Sequence, residues 1–95
     1  MALFDVLGQR WTLRILWELH RNAPLTFRGL QEHCGGLSSS VLSRRLDVLR
    51  EVRLVVTDDA GYRLSELGEE LVEKLGPLLR WSEQWAATVD DQVGP

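Results

Sequence analysis

Thr26–Leu49 reads TFRGLQEHCGGLSSSVLSRRLDVL, and this stretch decides the fold. Thr26 is placed to cap a helix running from Phe27 to about His33, with Phe27 and Leu30 facing inward. Cys34-Gly35-Gly36 then breaks the chain tightly, with a glycine free to take positive φ. Ser38 or Ser39 caps a second helix that runs to about Glu51. Its Leu42, Leu46 and Leu49 make a narrow apolar stripe. The opposite face carries Ser39, Ser40, Ser43, Arg44 and Asp47, flanked by Arg45 and Val48. Two helices joined by a short glycine turn, the second with a face of short hydroxyls and arginine, are the outline of a helix-turn-helix.

Working outward, residues 2–7 are apolar and predict a short first helix ending at Gly8. A stronger helix follows from about Trp11, with Leu13, Leu16, Trp17, Leu19 and His20 at helical spacing. Asn22-Ala23-Pro24 ends it. Downstream, Leu54–Thr57 reads as a strand, Asp58–Gly61 as a turn, and Tyr62–Leu64 as the returning strand. Ser65 caps a long last helix, with Glu66, Glu69 and Glu70 near its positive end. Gly76-Pro77 is expected to kink or split that helix, and Leu78, Trp81, Trp85 and Val89 continue an apolar stripe beyond the break. The pattern predicts a mainly α fold with a small β-hairpin, a winged helix-turn-helix. Residues 1–95 form one domain, 65–90 its long C-terminal helix and 91–95 a tail.

Composition bounds the function. The 95 residues, beginning with Met1, suit one complete small domain with a modest core. The single cysteine, Cys34, excludes an internal disulfide framework. Neither a membrane-length apolar run nor a signal peptide is readable, so a cytoplasmic location is expected. The net charge of −3 argues against nonspecific nucleic-acid binding by the chain as a whole. Its distribution is uneven. Residues 1–63 hold nine arginines against seven acids, whereas residues 64–95 hold Lys74 and Arg80 against seven acids. Ten of the eleven basic residues are arginine, which suits bidentate phosphate and guanine contacts but equally reads as codon usage.

The order of motifs resembles the HxlR family of winged-helix bacterial transcription regulators, related to MarR. The matching residues are Gly8, Trp11, Thr12, Ile15, Leu16 and Leu19, then Phe27 and Leu30, then Gly36 and Ser38. Leu42, Arg45, Leu46, Leu49, Leu54 and Val55 follow, and Tyr62, Leu64, Ser65, Gly68, Leu71 and Trp81 complete the run. The resemblance implies a homodimer built from the first and last helices, with each recognition helix in one major groove of a pseudo-palindromic operator. This sequence also departs from the family. The cysteine that members carry before the first helix has no counterpart, and the wing, usually longer and basic, shrinks to a turn holding Asp58 and Asp59. Arg53 stands where a glycine is usual, Ser40 replaces a common lysine, and Pro77 lies one turn beyond the usual proline.

Each candidate residue carries two readings. Ser38, Ser39, Ser40, Ser43 and Arg44 either contact DNA or form a capped, solvated helix face. Arg45 either binds phosphate or braces the wing from inside the fold. Arg28 and Arg50 are candidate phosphate contacts, and Arg63 would replace the missing wing charge; the alternative for each is plain solvation. Trp11, Trp17, Leu78, Trp81 and Trp85 either pack a dimer core or, through Trp81 and Trp85, stack a flat aromatic effector. Cys34 beside His33 is either a buried structural residue or a thiol with some thiolate character. The Glu69, Glu70 and Glu73 run reads as a solvated face. His20, His33 and Cys34 lack metal-site spacing, Gly35-Gly36 lacks the lysine of a phosphate loop, and no catalytic arrangement is readable. Neither an enzyme nor a cofactor is expected. The leading expectation is a dimeric, sequence-specific DNA-binding regulator without a membrane segment. The competing one is a winged-helix ligand-binding or interaction module that has lost DNA binding.

Overall fold

A computed structural model describes residues 2–93. Five helices and one hairpin follow in the order α1 (Ala2–Leu7), α2 (Thr12–Asn22), α3 (Phe27–His33), α4 (Ser39–Glu51), β1 (Val55–Asp58), β2 (Gly61–Leu64) and α5 (Glu66–Val93). This is a winged helix-turn-helix, mainly α with an antiparallel hairpin. β1 pairs with β2 from Val55 opposite Leu64 to Asp58 opposite Gly61, leaving Asp59 and Ala60 as the turn. Leu25 adds a third, one-residue rung: its N–H donates to the Tyr62 carbonyl and the Tyr62 N–H donates back, at 3.1 and 2.7 Å.

The core gathers the inward faces of every element except α1. Ile15, Leu16 and Leu19 of α2, Leu30 of α3, and Leu42, Leu46 and Leu49 of α4 are buried with Val55, Leu64 and Val72. Leu13 and His20, placed by spacing on the inward stripe of α2, lie exposed instead. Thr12 and Ile15 take the inward positions. Phe27 is half-buried against the core.

Local signals explain the boundaries. The Thr26 hydroxyl accepts from the Gly29 N–H at 3.0 Å and caps α3. The Ser38 hydroxyl accepts from the Val41 N–H at 3.3 Å and caps α4. The Ser65 hydroxyl accepts from the Gly68 N–H at 3.1 Å and donates to the Arg53 carbonyl at 2.6 Å, tying the start of α5 to the end of α4. Both helices of the helix-turn-helix end in a Schellman motif. After α3, Gly36 N–H bonds the Gln31 carbonyl and Gly35 N–H the Glu32 carbonyl. After α4, Leu54 N–H bonds the Leu49 carbonyl and Arg53 N–H the Arg50 carbonyl.

The second motif explains a departure noted in the sequence. The closing residue must take positive φ, and Arg53 does so at 65° where a glycine would be unstrained. Arg53→Gly is therefore expected to raise stability by about 0.5–1 kcal/mol, the left-handed cost being partly offset by a freer unfolded chain. Chemical denaturation midpoints at unchanged slope would check this, and a lower midpoint would contradict it.

Gly68 has a different role. A Cβ there would stand 2.2 Å from the Leu54 carbonyl oxygen, so α5 can approach the hairpin only without a side chain at this point. At Gly76-Pro77 the helix is not split, and α5 continues as one helix through Pro77. Proline leaves the Glu73 carbonyl without its helical donor and crowds it; only the further crowding of a preceding Cβ is absent, because residue 76 is glycine. The helix also extends to Val93, through the first three residues of the stretch assigned to a tail; residues 94–95 lie outside the described residues. Among the described residues no helix is long and apolar enough to cross a membrane.

Candidate nucleic-acid interface

The exposed side of α4 is built by its own periodicity. At about 100° per residue, Ser39, Ser40, Ser43, Arg44, Asp47, Arg50 and Glu51 fall within about 140° of the circumference, and the buried leucines take a neighbouring sector of about 60°. All seven are exposed. Ser40, Ser43, Arg44 and Arg50 have no side-chain partner among the described residues, so their donors face solvent. Asp47, in the middle of this arc, belongs to the same surface; a carboxylate there can accept from a cytosine amino group.

The remaining candidates divide. Ser38 is occupied in capping α4. The Ser39 hydroxyl accepts from Gln31 Nε2 at 3.1 Å, and Gln31 Nε2 also donates to the Leu37 carbonyl at 2.7 Å. Both serines therefore fix the turn between α3 and α4, a task that spacing alone did not reveal. Arg28 is 89% exposed, with Nε 3.9 Å from Glu32, a loose surface pair. Arg45 is half-buried and its Nε donates to the Arg10 carbonyl at 2.8 Å. It braces the α1–α2 junction rather than the wing. Arg44 and Arg45 also edge a groove of about 470 Å³ between α1 and α4, shared with Asp5 and Gln9.

Nor does the wing supply a free cation on its returning strand. Arg63 is ion-paired with Asp58 across the hairpin. The Ala60 N–H, and then Arg63, hold the Asp58 carboxyl below the usual carboxylate range. The tip therefore stays anionic, and Arg63 compensates an acid instead of replacing a lost wing charge.

Inside the helix-turn-helix turn, Cys34 is buried. Burial pushes its thiol pKa up; Arg14 opposes the shift and Glu18 adds to it. His33 does not activate it, because its Nδ1 faces Glu18 Oε2 at 3.4 Å. The suggested thiolate character is not realised. Cys34 in the native protein should react with a thiol-specific disulfide reagent more slowly than in the denatured chain throughout pH 7–9. Equal rates would mean that the thiol is open to solvent and ionised normally. Glu18 is a hub at this place: it also pairs with Arg14 at 3.0 Å and accepts from Asn22 at 3.1 Å. Arg14 Nη2 donates to the His33 carbonyl at 3.0 Å, joining α2 to the turn.

The tryptophans serve separate surfaces. Trp81 and Trp85 stack on α5 with centroids 6.1 Å apart and planes at 15°. They are 55% and 54% exposed, and Leu67, Leu78 and Val89 extend the same apolar stripe. On α1, Phe4 is 67% exposed. Trp11 is half-buried, takes φ 77° at the start of α2, and lies under the Arg10 guanidinium at 5.8 Å. Trp17 is half-buried between Arg21, at 5.8 Å, and His20, whose ring centroid is 5.7 Å away. Trp17 lines a groove of about 230 Å³ between α2 and α5 that does not include Trp81 or Trp85. His20 Nδ1 meets Glu69 Oε2 at 3.0 Å, so the Glu69–Glu73 face is not solely solvated.

The family model for the HxlR-like helix-turn-helix matches residues 6–90. An uncharacterized HTH-type transcriptional regulator of Methanocaldococcus jannaschii is 29% identical over 90 residues, covering 90% of this chain and 83% of the relative. Among solved structures, a possible HxlR family transcriptional factor from Thermoplasma volcanium superposes with TM-score 0.81 at 26% identity, covering 92% of this chain and 84% of the other. Quinone-bound YodB from Bacillus subtilis superposes with TM-score 0.78 at 28% identity, covering 87% and 93%. Its reduced form gives 0.75 at 26%, covering 87% of each chain.

Proposed function

Because the chain belongs to the HxlR-like helix-turn-helix family of transcriptional regulators, we propose that it binds a pseudo-palindromic operator as a homodimer, with α4 of each protomer in a major groove. The observation that carries this reading is the exposed arc of α4, which presents Ser40, Ser43, Arg44 and Arg50 beside Asp47. Short hydroxyls and a carboxylate read base edges at close range, and arginine grips guanine or phosphate. Arg28 adds a phosphate contact from α3. Ser38 and Ser39 hold α4 at its entry angle, and Arg45 holds it from the side of α1. Homodimerisation is supported by the uncovered apolar stripe of α5 and by Phe4 on α1. A stripe that includes two half-exposed tryptophans is an unusual surface for a monomer to leave in water.

The test is fluorescence anisotropy with DNA from upstream of the protein's own gene. If Arg28, Arg44 and Arg50 of both protomers each neutralise a phosphate, the logarithm of the binding constant should fall against log salt with a slope of roughly −5. No binding at low salt by folded protein would overturn the reading. A second reading, a winged-helix module that has lost DNA binding, draws on the wing, where Asp58 consumes Arg63 and keeps the tip anionic. Its signature is a dimer that binds a small molecule but gives no salt-dependent retardation.

Regulation by an aromatic small molecule is part of the proposal, since YodB is solved with a quinone bound. A quinone can be captured covalently by a thiolate, but Cys34 is buried and held neutral. The effector of this chain therefore binds without a bond to sulfur.

A further inference from the structure

We infer that the groove between α2 and α5 is a binding site for a flat aromatic carboxylate of one or two rings. The inference deepens the regulatory reading above and rests on it only for its consequence, not for the binding itself.

The groove has the chemistry of such a site. Leu13 and Trp17 from α2 and Leu79 from α5 give apolar and aromatic walls. Arg14 and Arg80 line it with one carboxylate, Glu83; Arg14 is already paired with Glu18, so Arg80 is the cation left for a ligand's carboxylate. Arg80 has no ion-pair partner among the described residues. Its Nη1 lies back over Gly76, where an added Cβ would come within 3.3 Å, so the guanidinium follows the helix surface instead of extending into solvent. Arg14 spends Nε on Glu18 and Nη2 on the His33 carbonyl, which leaves Nη1 for a ligand.

Size limits the occupant. A cavity of roughly 150 Å³ holds one benzene, so a groove of about 230 Å³ that is open on one side accommodates one ring or two fused rings with the carboxylate at its mouth. At about 100° per residue, Leu79 and Glu83 point roughly 120–160° away from Trp85, whereas Ser82 stands about 60° from it, so the groove borders the stripe that a second copy would cover.

The position explains how occupancy reaches DNA. Arg14 is both a wall of the groove and the donor that ties α2 to the His33 carbonyl at the helix-turn-helix turn. A carboxylate that attracts Arg14 competes with that carbonyl, and the turn sets the angle of α4.

The test titrates full-length protein, without DNA, with 1-naphthoate and with neutral 1-naphthamide. It follows the four tryptophan indole N–H resonances, assigned by single Trp→Phe variants. The expected result is saturable movement of the Trp17 signal by naphthoate, with Trp81 and Trp85 unmoved. Naphthamide should bind about tenfold more weakly, and Arg80→Gln should weaken naphthoate about tenfold and naphthamide far less, as for loss of one charge-assisted hydrogen bond. Arg80 is exposed, so the variant should fold as the parent does. Equal affinity for acid and amide, movement confined to Trp81 and Trp85, or an unmoved Trp17 would each overturn the site. Operator binding measured without ligand stands independently, so failure of the groove and failure of the DNA reading remain distinct.

Discussion

Arg44→Ala is expected to weaken operator binding by about a hundredfold while leaving the melting temperature unchanged. Arg44 is exposed on the outer arc of α4 and has no side-chain partner among the described residues, so its removal costs the fold little. On DNA, one arginine contact to guanine or phosphate is worth about 1–3 kcal/mol, and a two-fold dimer loses it twice. Two losses near the lower end of that range give about two orders of magnitude. Anisotropy titrations of parent and variant at one salt concentration decide the matter. A change below about threefold would remove Arg44 from the interface. Arg45→Ala is the informative contrast: its Nε holds the Arg10 carbonyl, so it should lower the melting temperature as well as the affinity.

The largest structural loss is expected from Gly61→Ala. Gly61 has φ 126°, and a Cβ would stand 2.5 Å from the Leu25 carbonyl oxygen and 3.1 Å from the Thr26 nitrogen. Both neighbours are backbone, and Leu25 is pinned by its paired hydrogen bonds to Tyr62. Strain of about 1–3 kcal/mol adds to overpacking of similar size. A total of about 3–4 kcal/mol corresponds to a melting temperature lower by about 15–25 °C for a domain of this length. Gly35→Ala isolates the conformational part, since Gly35 has φ 75° with nothing within 4 Å of an added Cβ. It should cost about 1 kcal/mol. If thermal denaturation gave the two variants equal losses, the close approach of Leu25 to the hairpin would be wrong.

What could be read in advance followed from local rules. Thr26, Ser38 and Ser65 are caps because a hydroxyl before a helix has its donors within reach. Leu42, Leu46 and Leu49 are core because their spacing matches the helical repeat. What could not be read depends on neighbours distant in sequence. Nothing near Arg45 announces Arg10, 35 residues earlier, as its partner. The Leu25–Tyr62 rung joins a connection to a wing strand, and a single paired residue leaves no alternating pattern. At Gly76-Pro77 the local rule foresees a disturbed helix but not whether the chain resumes as a helix beyond it, which it does as far as Val93. On α4 the exposed face was correctly drawn, but the duties of Ser38 and Ser39 in the turn follow from the positions of the Val41 N–H and Gln31. Arg63 looked available because its partner, Asp58, faces it only once the hairpin closes.

The continuity of α5 has a mechanical consequence. The helix holds 28 residues, about 42 Å of chain against a longest molecular dimension of 47 Å. Its last core residue is Val72, so some twenty residues run on from the anchored end. The helix is thus a lever fixed in the core at Val72, with an arm that lies along α2 as far as Glu83 and its last ten residues clear of the domain. A tilt of about 5° at Val72 sweeps the far end through roughly 3 Å, comparable to the radius of a helix backbone. Run in reverse, clamping that arm against a second copy would make the anchored end hard to move. The gain of such a device depends on its stiffness, and its softest point is the Gly76-Pro77 pair, where one helical hydrogen bond is missing.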